Sequence, residues 1–432
     1  MTTNKNARRF FLQQSALLSA GVWLGTSART RAASPNEKLN IAIIGCGGQG
    51  ASNRKGLRGE NIVALCDVDE NRAGSAYKQH PEARAFHDYR KMFDAMANKI
   101  DAVAVSTPDH AHFHPSMIAM DLGKHLYCEK PMAHSIDQAR RMTNKAKEKS
   151  LATQLGVQRH TKPNMHRVVE LIKSHAIGRV IEVHSWVGGD RGMPKIPDDK
   201  PAVPKTMQWD LWLGQAKERS YHPTIAPYGW RFWWDYGTGE MGNWGCHILD
   251  IPFWALDLTY PTRVDAVGPE PHALTTPKQM ASSFQFPANR ETDRPEVTLY
   301  WHHSKPGPDI LRAHGLPEFG NNLFIGTEGM LLTDFDRHYL HPQDKFADFT
   351  PPPKSVPDSP GFHQEFIAAC KGGEKATCDF DYSGPLSETV LLANAAFRAG
   401  GGFDWDAESM TATGNPNAEQ FLHSHVRKGW EI

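Results

Sequence analysis

Residues 39–50, Leu-Asn-Ile-Ala-Ile-Ile-Gly-Cys-Gly-Gly-Gln-Gly, restrict this chain more than any other stretch. An apolar, β-branched run ends in Gly45-x-Gly47-x-x-Gly50, and each glycine has a physical task at a dinucleotide site. Gly45 lets the chain turn sharply out of a strand. Gly47 lets the backbone approach a pyrophosphate, and Gly50 lets the next helix pack close to the sheet. With Gly48 and Gln49 between them, these residues are expected to contact the cofactor. Asp67 closes the next apolar run. A carboxylate there accepts hydrogen bonds from the adenosine ribose and repels a 2′-phosphate, so NAD is expected over NADP. Asp69 is a neighbouring alternative.

After this loop, strands and helices alternate. Asn40–Ile44, Ile62–Cys66, Asp101–Ser106, His125–Cys128 and Ala152–Val157 read as strands. Helices are expected at Gly50–Arg58, Tyr89–Ala97, His112–Leu122 and Ile136–Lys149. Continuous rather than alternating apolar strands, each followed by a helix, predict a parallel sheet covered on both faces, that is, a doubly wound Rossmann domain over 34–157. The pattern then changes. Helix Asn164–His175 and strand Val180–Val187 precede an irregular excursion, 188–242, rich in Gly, Pro and Trp. Strands at 262–267, 280–286, 296–303, 322–326 and 329–335 follow with few helices between, and helices close the chain near 361–371 and 386–399. Residues 158–432 are therefore expected to form an α+β domain with a large, mainly antiparallel open sheet.

Composition narrows the function classes. Among 432 residues, 48 Lys+Arg balance 48 Asp+Glu, which argues against nucleic acid as a partner. The N-terminus resembles a twin-arginine export signal. Arg8-Arg9-Phe10-Phe11-Leu12-Gln13 has Ala7 where Ser or Thr is usual and Gln13 where Lys is usual. A modestly apolar stretch, Ser15–Gly25, and small residues up to Ala33 follow. That stretch is shorter than the roughly 20 residues a membrane span needs, so no stable membrane insertion is expected. Residues 1–33 are read as the signal, with the export machinery as a partner and the periplasm as the destination.

Thr107-Pro108-Asp109-His110-Ala111-His112 and Glu129-Lys130-Pro131 each follow a strand. Both are expected at the carboxyl edge of the sheet, where the nicotinamide would lie. Thr107, Pro108, His110, His112, Glu129 and Lys130 are cofactor-contact candidates, and Lys130 is placed to polarise a substrate oxygen. The run His110-x-His112-x-His114 does not read as a metal site, because alternate residues of a helix face different ways. No metal is expected. The six cysteines read as small buried residues. Cys370 and Cys378 flank a Gly-Gly turn and are the pair whose position admits a bridge.

The ordered set Gly45-x-Gly47-x-x-Gly50, Thr107-Pro108-Asp109, Glu129-Lys130-Pro131 and Gly245-Cys246-His247-Ile248-Leu249-Asp250 resembles the Gfo/Idh/MocA oxidoreductases, over nearly all of the chain beyond the signal. Trp209-Asp210-Leu211-Trp212-Leu213-Gly214 and Trp230-Arg231-Phe232-Trp233-Trp234-Asp235 are similar to its exported, sugar-related branch. The resemblance implies hydride transfer between a sugar or polyol derivative and a nicotinamide, with Lys130 and His247 catalytic. Asn243 stands where the family often has an Asp four residues before that His. It can orient the imidazole but adds no charge, and Asp250 is the alternative partner. Substrate contacts are expected from Arg159, His160, Trp230, Arg231, Asn243 and Asp250, while Trp209, Trp212 and Trp233 are expected in the core. Family resemblance also implies homo-oligomers formed through the open sheet face. Two other readings are a redox-neutral NAD-dependent glycosidase and a non-catalytic carbohydrate-binding relative. Twin-arginine export moves folded proteins, so NAD is expected to be loaded before export and retained.

Overall fold

The computed structural model describes residues 37–303 and 308–432. The Arg8-Arg9 segment and the boundary expected at Ala33 lie outside the described residues.

The first sheet is built from β1 (Asn40–Ile44), β2 (Asn61–Cys66), β3 (Arg84–Phe86), β4 (Ala102–Val105), β5 (His125–Cys128) and β6 (Thr153–Leu155). Its order is β3-β2-β1-β4-β5-β6, and every pairing is parallel. Every residue of β4 is buried, as a strand covered on both faces requires. The connecting helices are α1 (Gln49–Gly56), α2 (Glu70–Gln79), α3 (Tyr89–Met96), α4 (Phe113–Asp121) and α5 (Ile136–Glu148). Asp69, Asp88 and Ser135 cap α2, α3 and α5 by accepting a first-turn N–H. The sequence pattern misses α2 and β3 for a physical reason: α2 buries only Ala73 and Ala76, and β3 has three residues, none fully buried.

The second part contains α6 (Pro163–Lys173), β7 (Val180–Val187), α7 (Trp209–Leu213), α8 (Gly239–Ile248) and α9 (Asp250–Ala255). It continues with β8 (Arg263–Val267), β9 (Met280–Pro287), β10 (Glu296–His303), α10 (Ile310–Ala313), β11 (Asn322–Gly326), β12 (Met330–Thr333) and β13 (His338–His341). Helices α11 (Phe362–Cys370) and α12 (Phe380–Arg398), then β14 (Phe403–Asp406) and β15 (Thr411–Thr413), end it. Nine strands form one sheet, β13-β12-β11-β7-β10-β9-β8-β14-β15, antiparallel except where β7 meets β10. Burial alternates along β9 and β10, so one face packs on the core and the other lies open.

Helix α12 ties the two parts together. Arg140 of α5 grips Glu388 of α12 with two hydrogen bonds, at 2.7 and 2.8 Å. The Leu155 N–H at the end of β6 donates to the Cys378 carbonyl at 2.9 Å. The C-terminal elements thus return to the Rossmann layer, and one apolar core runs through both sheets. A smaller core of Met207, Trp212, Leu213, Ile225, Trp230 and Trp233 holds the irregular excursion. That excursion ends at Thr238 rather than at 242, because α8 starts at Gly239. All six cysteines are buried free thiols, and Cys370 and Cys378 are not bridged.

Candidate active site

The carboxyl edge of the parallel sheet opens into a cleft of about 510 Å³ whose opposite wall is the excursion and α8. The floor is made by backbone. Gly45 has φ of +83° and Gly48 of +53°, and a Cβ on Gly50 would sit 1.8 Å from the Gly45 carbonyl oxygen. Only glycine fits these places. No side chain caps α1 at Gly48, and no acid occupies its first turn. The Gly50 and Ala51 N–H groups bond back to Gly47 and Gly48, while those of Gly47, Gly48 and Gln49 have no such partner, and the positive dipole end faces the cleft, as a pyrophosphate requires. Gly45, Gly47, Gly48 and Gln49 line the cleft. Gly50 does not, because it is the contact between α1 and the loop behind it.

Asp67 lines the cleft at the end of β2. Its carboxylate accepts the Cys46 N–H at 2.7 Å and the Asp69 N–H at 3.0 Å. Burial pushes its pKa up, and the two N–H donors pull it down. A ribose diol would supply the further donors such a carboxylate takes. Asp69 also lines the cleft, although its side chain is engaged as the α2 cap. These residues fit a dinucleotide with free ribose hydroxyls.

Thr107, Pro108, Glu129 and Lys130 lie along the next part of the edge. Glu129 accepts from Asn53 at 2.9 Å, from Gln158 at 2.7 Å and from the Tyr127 hydroxyl at 3.3 Å. Burial raises its pKa, and Asn53 and the Lys130 charge oppose that rise. Asp109 is buried and accepts from the Thr238 hydroxyl at 2.6 Å. Lys130 reaches across the cleft, and its Nζ donates to the Asn243 carbonyl of α8 at 2.7 Å. Burial lowers the Lys130 pKa, while Asp109 and Glu129 support its charge. One N–H of three is used, so two remain for a substrate oxygen.

His247 lines the cleft from α8, and its buried Nδ1 has no hydrogen-bond partner. Burial and the charges of Lys130 and Arg159 hold its pKa well below the usual histidine range. It is therefore a neutral imidazole able to accept a proton. Neither expected orienting partner touches it. Asn243 lines the cleft one turn earlier, but its amide donates to Glu240 at 3.4 Å. Asp250, the first residue of α9, is fully buried and accepts from the Tyr382 hydroxyl at 2.6 Å, with His160 Nδ1 at 2.9 Å.

Four expected contacts are thereby corrected. His160 and Asp250 form a core pair, with His160 stacked on Trp254 at 4.0 Å, and neither lines the cleft. Their atoms and Cys378 Sγ lie close together, and burial pushes the Cys378 thiol pKa up. His110 and His112 are also structural. His110 Nε2 meets the Trp212 carbonyl at 2.9 Å and pins the excursion to the sheet edge. Burial drives its pKa down to about 4. His112 spans the two loops, from the Pro131 carbonyl to the Thr107 carbonyl, both at 2.8 Å. Loops that pack against each other need polar pins of this kind, and sequence spacing does not separate a pin from a ligand.

Arg159, Trp230 and Arg231 line the cleft as expected. Sequence reasoning missed Arg72, Gln158, Arg191 and Trp244, which also line it, and placed Trp212 in the core alone, although it does both. Arg191 is held by Glu240, with a second contact at 3.0 Å, and donates to the Tyr228 hydroxyl at 2.9 Å. Only Arg72 carried a signal, as the cation shortly after Asp67. The others lie in segments without regular periodicity.

Glycine loop, strand-end acid, edge lysine and facing histidine together define a two-domain dinucleotide-binding protein with a substrate cleft between its halves. Comparison with known proteins makes this specific. Residues 39–157 match the family model of an oxidoreductase family with an NAD-binding Rossmann fold. Residues 181–285 match that family's C-terminal alpha/beta domain. The chain belongs to the Gfo/Idh/MocA oxidoreductase family. It is 29% identical over 184 residues to inositol 2-dehydrogenase 2 of Saccharopolyspora erythraea, covering 40% of this chain and 53% of that one. It is 33% identical over 162 residues to a glycosyl hydrolase family 109 protein of Solibacter usitatus, covering 33% and 36%. The chain thus spans about half the length of the curated relatives it matches, or less. Among solved structures, the WlbA dehydrogenase of Bordetella pertussis, in complex with NADH and UDP-GlcNAcA, superposes with a TM-score of 0.61. That match is 16% identical and covers 86% of this chain and 99% of the other.

Proposed function

We propose that this protein oxidises a hydroxyl of a sugar or polyol derivative by hydride transfer to a retained NAD. The observation that carries the reading is that Lys130 and His247 line one cleft from opposite sides, Lys130 anchored on the Asn243 carbonyl at 2.7 Å and His247 with its buried Nδ1 unpartnered. When bound, NAD supplies the hydride acceptor. The chain does the rest. The glycine loop and α1 would hold its pyrophosphate, and Asp67 would hold its adenosine ribose. Lys130 donates to the substrate oxygen and stabilises the negative charge that develops there. His247 takes the hydroxyl proton. Both tasks are electrostatic and depend on prior positioning, which the Lys130 bond to α8 and the Glu129 network provide.

A redox-neutral glycosidase is the second reading, favoured by the likeness to a glycosyl hydrolase family 109 protein. It uses the same first step. Export by the twin-arginine route and association through the open face of the nine-stranded sheet complete the proposal. The Arg8-Arg9 motif supports the first, and the half-exposed alternation along β9 and β10 supports the second.

The test is native purification of the exported protein, release of its nucleotide, and assay with sugars, polyols and aryl glycosides without added NAD. Bound NAD(H) that changes redox state with a sugar or polyol is expected. Aryl alcohol release with no net redox change favours the second reading. A protein that binds no nicotinamide nucleotide contradicts both.

A further inference from the structure

We infer that the substrate carries a carboxylate, and that Arg159 is the residue that recognises it: the proposed sugar or polyol is a sugar acid. This rests on the oxidoreductase reading and narrows its substrate class.

Charges along the cleft are matched unevenly. Five cations line it: Arg72, Lys130, Arg159, Arg191 and Arg231. Lys130 has Asp109 and Glu129 behind it. Arg191 is bound by the buried carboxylate of Glu240. Arg231 lies between the rings of Trp230 and Tyr228, at 4.3 and 4.5 Å, and donates to the Tyr228 carbonyl at 3.1 Å. Arg159 and Arg72 have no side-chain hydrogen bond and no ion pair among the described residues; Arg72 has the Asp67 carboxylate nearby, whereas Arg159 stands near His247. The Arg159 guanidinium lies over Trp244 at 4.9 Å and Phe335 at 4.5 Å. Asp336 acts on it only through space, is exposed, and is already paired with Lys162.

Arg159 is also held in place. It follows β6 in a short 3-10 turn, next to Gln158, whose amide is fixed by Glu129. Trp244 belongs to α8, and its ring lies 6.1 Å from that of His247. Arg159, Trp244 and His247 therefore stand in a row along the substrate wall. A half-buried guanidinium between two aromatic faces keeps its planar fork oriented, yet all its donors lack acceptors. None of its nitrogens is among the buried unpartnered atoms, so the donors are open to an incoming acceptor. The partner that matches the fork is a carboxylate, which accepts two parallel N–H bonds. Hydroxyls of a neutral polyol offer no charge. An acid on Arg159 would also reduce the cationic field at His247, which strengthens that base as substrate binds.

The experiment compares binding of D-glucuronate, D-galacturonate and D-gluconate with D-glucose, D-galactose and D-glucitol by calorimetry on the natively purified protein. Reduction of its bound nicotinamide is followed in parallel. At least one acid is expected to bind about tenfold or more tightly than its neutral counterpart, with the preference shrinking as salt rises. Arg159→Gln should lower that acid-to-neutral ratio by about tenfold or more, with nucleotide content retained. Arg159→Lys should restore part of it, because the charge returns without the fork. If Arg159→Gln does not fold, the salt dependence of the wild-type preference decides. Equal binding of acids and neutral sugars, binding of none of the six, or a preference that survives Arg159→Gln overturns the inference. An acid preference with no change of nicotinamide redox state would instead leave the carboxylate site standing and remove the oxidoreductase reading. Neutral polyols turned over with no acid preference would do the reverse.

Discussion

The two walls of the cleft are built differently. On the Rossmann side, polar groups are matched within the protein: Glu129 takes three donors, Asp67 two backbone N–H groups, and Asp109 the Thr238 hydroxyl. Towards the substrate side, groups are left unmatched, namely His247 Nδ1 of α8 and the Arg159 guanidinium, which reaches Trp244 of α8 from the turn after β6. The first wall is a mould for a dinucleotide. The second leaves groups open to a further ligand. Lys130 joins them, since it belongs to the first wall and bonds to the second at Asn243.

This contrast breaks if changes on either wall have the same signature. The largest expected effect is on rate. Lys130→Met and His247→Gln should each lower kcat by about 10²–10⁴-fold, while nucleotide content and melting temperature stay close to wild type. Loss of nucleotide in His247→Gln would show that the walls are not separable. Gly50→Ala should show the opposite pattern. Its new methyl meets the Gly45 carbonyl, and a backbone atom cannot swing aside. Stability should fall by about 1–3 kcal/mol and nucleotide should be lost, read by thermal melting and by nucleotide release.

Asp250→Asn sharpens the comparison from outside the cleft. It weakens the pair with His160 and the bond from Tyr382. The expected cost is about 1–3 kcal/mol in denaturant unfolding, with kcat changed by less than about tenfold. A much larger kinetic loss would return Asp250 to the catalytic set.

The last comparison is with pH, and its effect is spread over a wide window. Burial holds His110 and His303 down to about 4, against 6.5 for an unperturbed histidine. Above 6.5 neither folded nor unfolded chain protonates them. As pH falls from 6.5 towards 4, the unfolded chain takes up protons and the folded one does not. Stability should therefore decline through that window, by at most about 1.4 kcal/mol per pH unit for each such histidine. His247 follows the same direction, so kcat/KM for the free enzyme should show no acid limb near 6.5.

How much of this was legible in the sequence follows the same division. The Rossmann wall is written in local signals. Glycine spacing, strand-end Asp67 and the Glu129-Lys130-Pro131 turn each depend on a few adjacent residues, and the structure brings them to one edge. The α8 wall is assembled from segments far apart in the chain. His247 was visible only through its motif, and Arg159 as one of six expected substrate contacts with nothing to set it apart from Arg231. The histidine misreadings have one cause. His110, His112 and His160 are polar and close to the motifs, as ligands would be, but each satisfies groups that long-range packing buries. Asn243 was expected to orient His247 by helical spacing, yet Glu240, one turn before it, takes its amide instead.

The most direct test follows the absorbance of reduced nicotinamide in a single turnover of natively loaded, oxidised protein mixed with a panel of sugars, polyols and sugar acids. A rise is predicted with at least one member of the panel, and about a hundredfold or more slower in His247→Gln at equal nucleotide content. No rise across the panel from protein that holds oxidised NAD, or a variant as fast as wild type, would contradict the account.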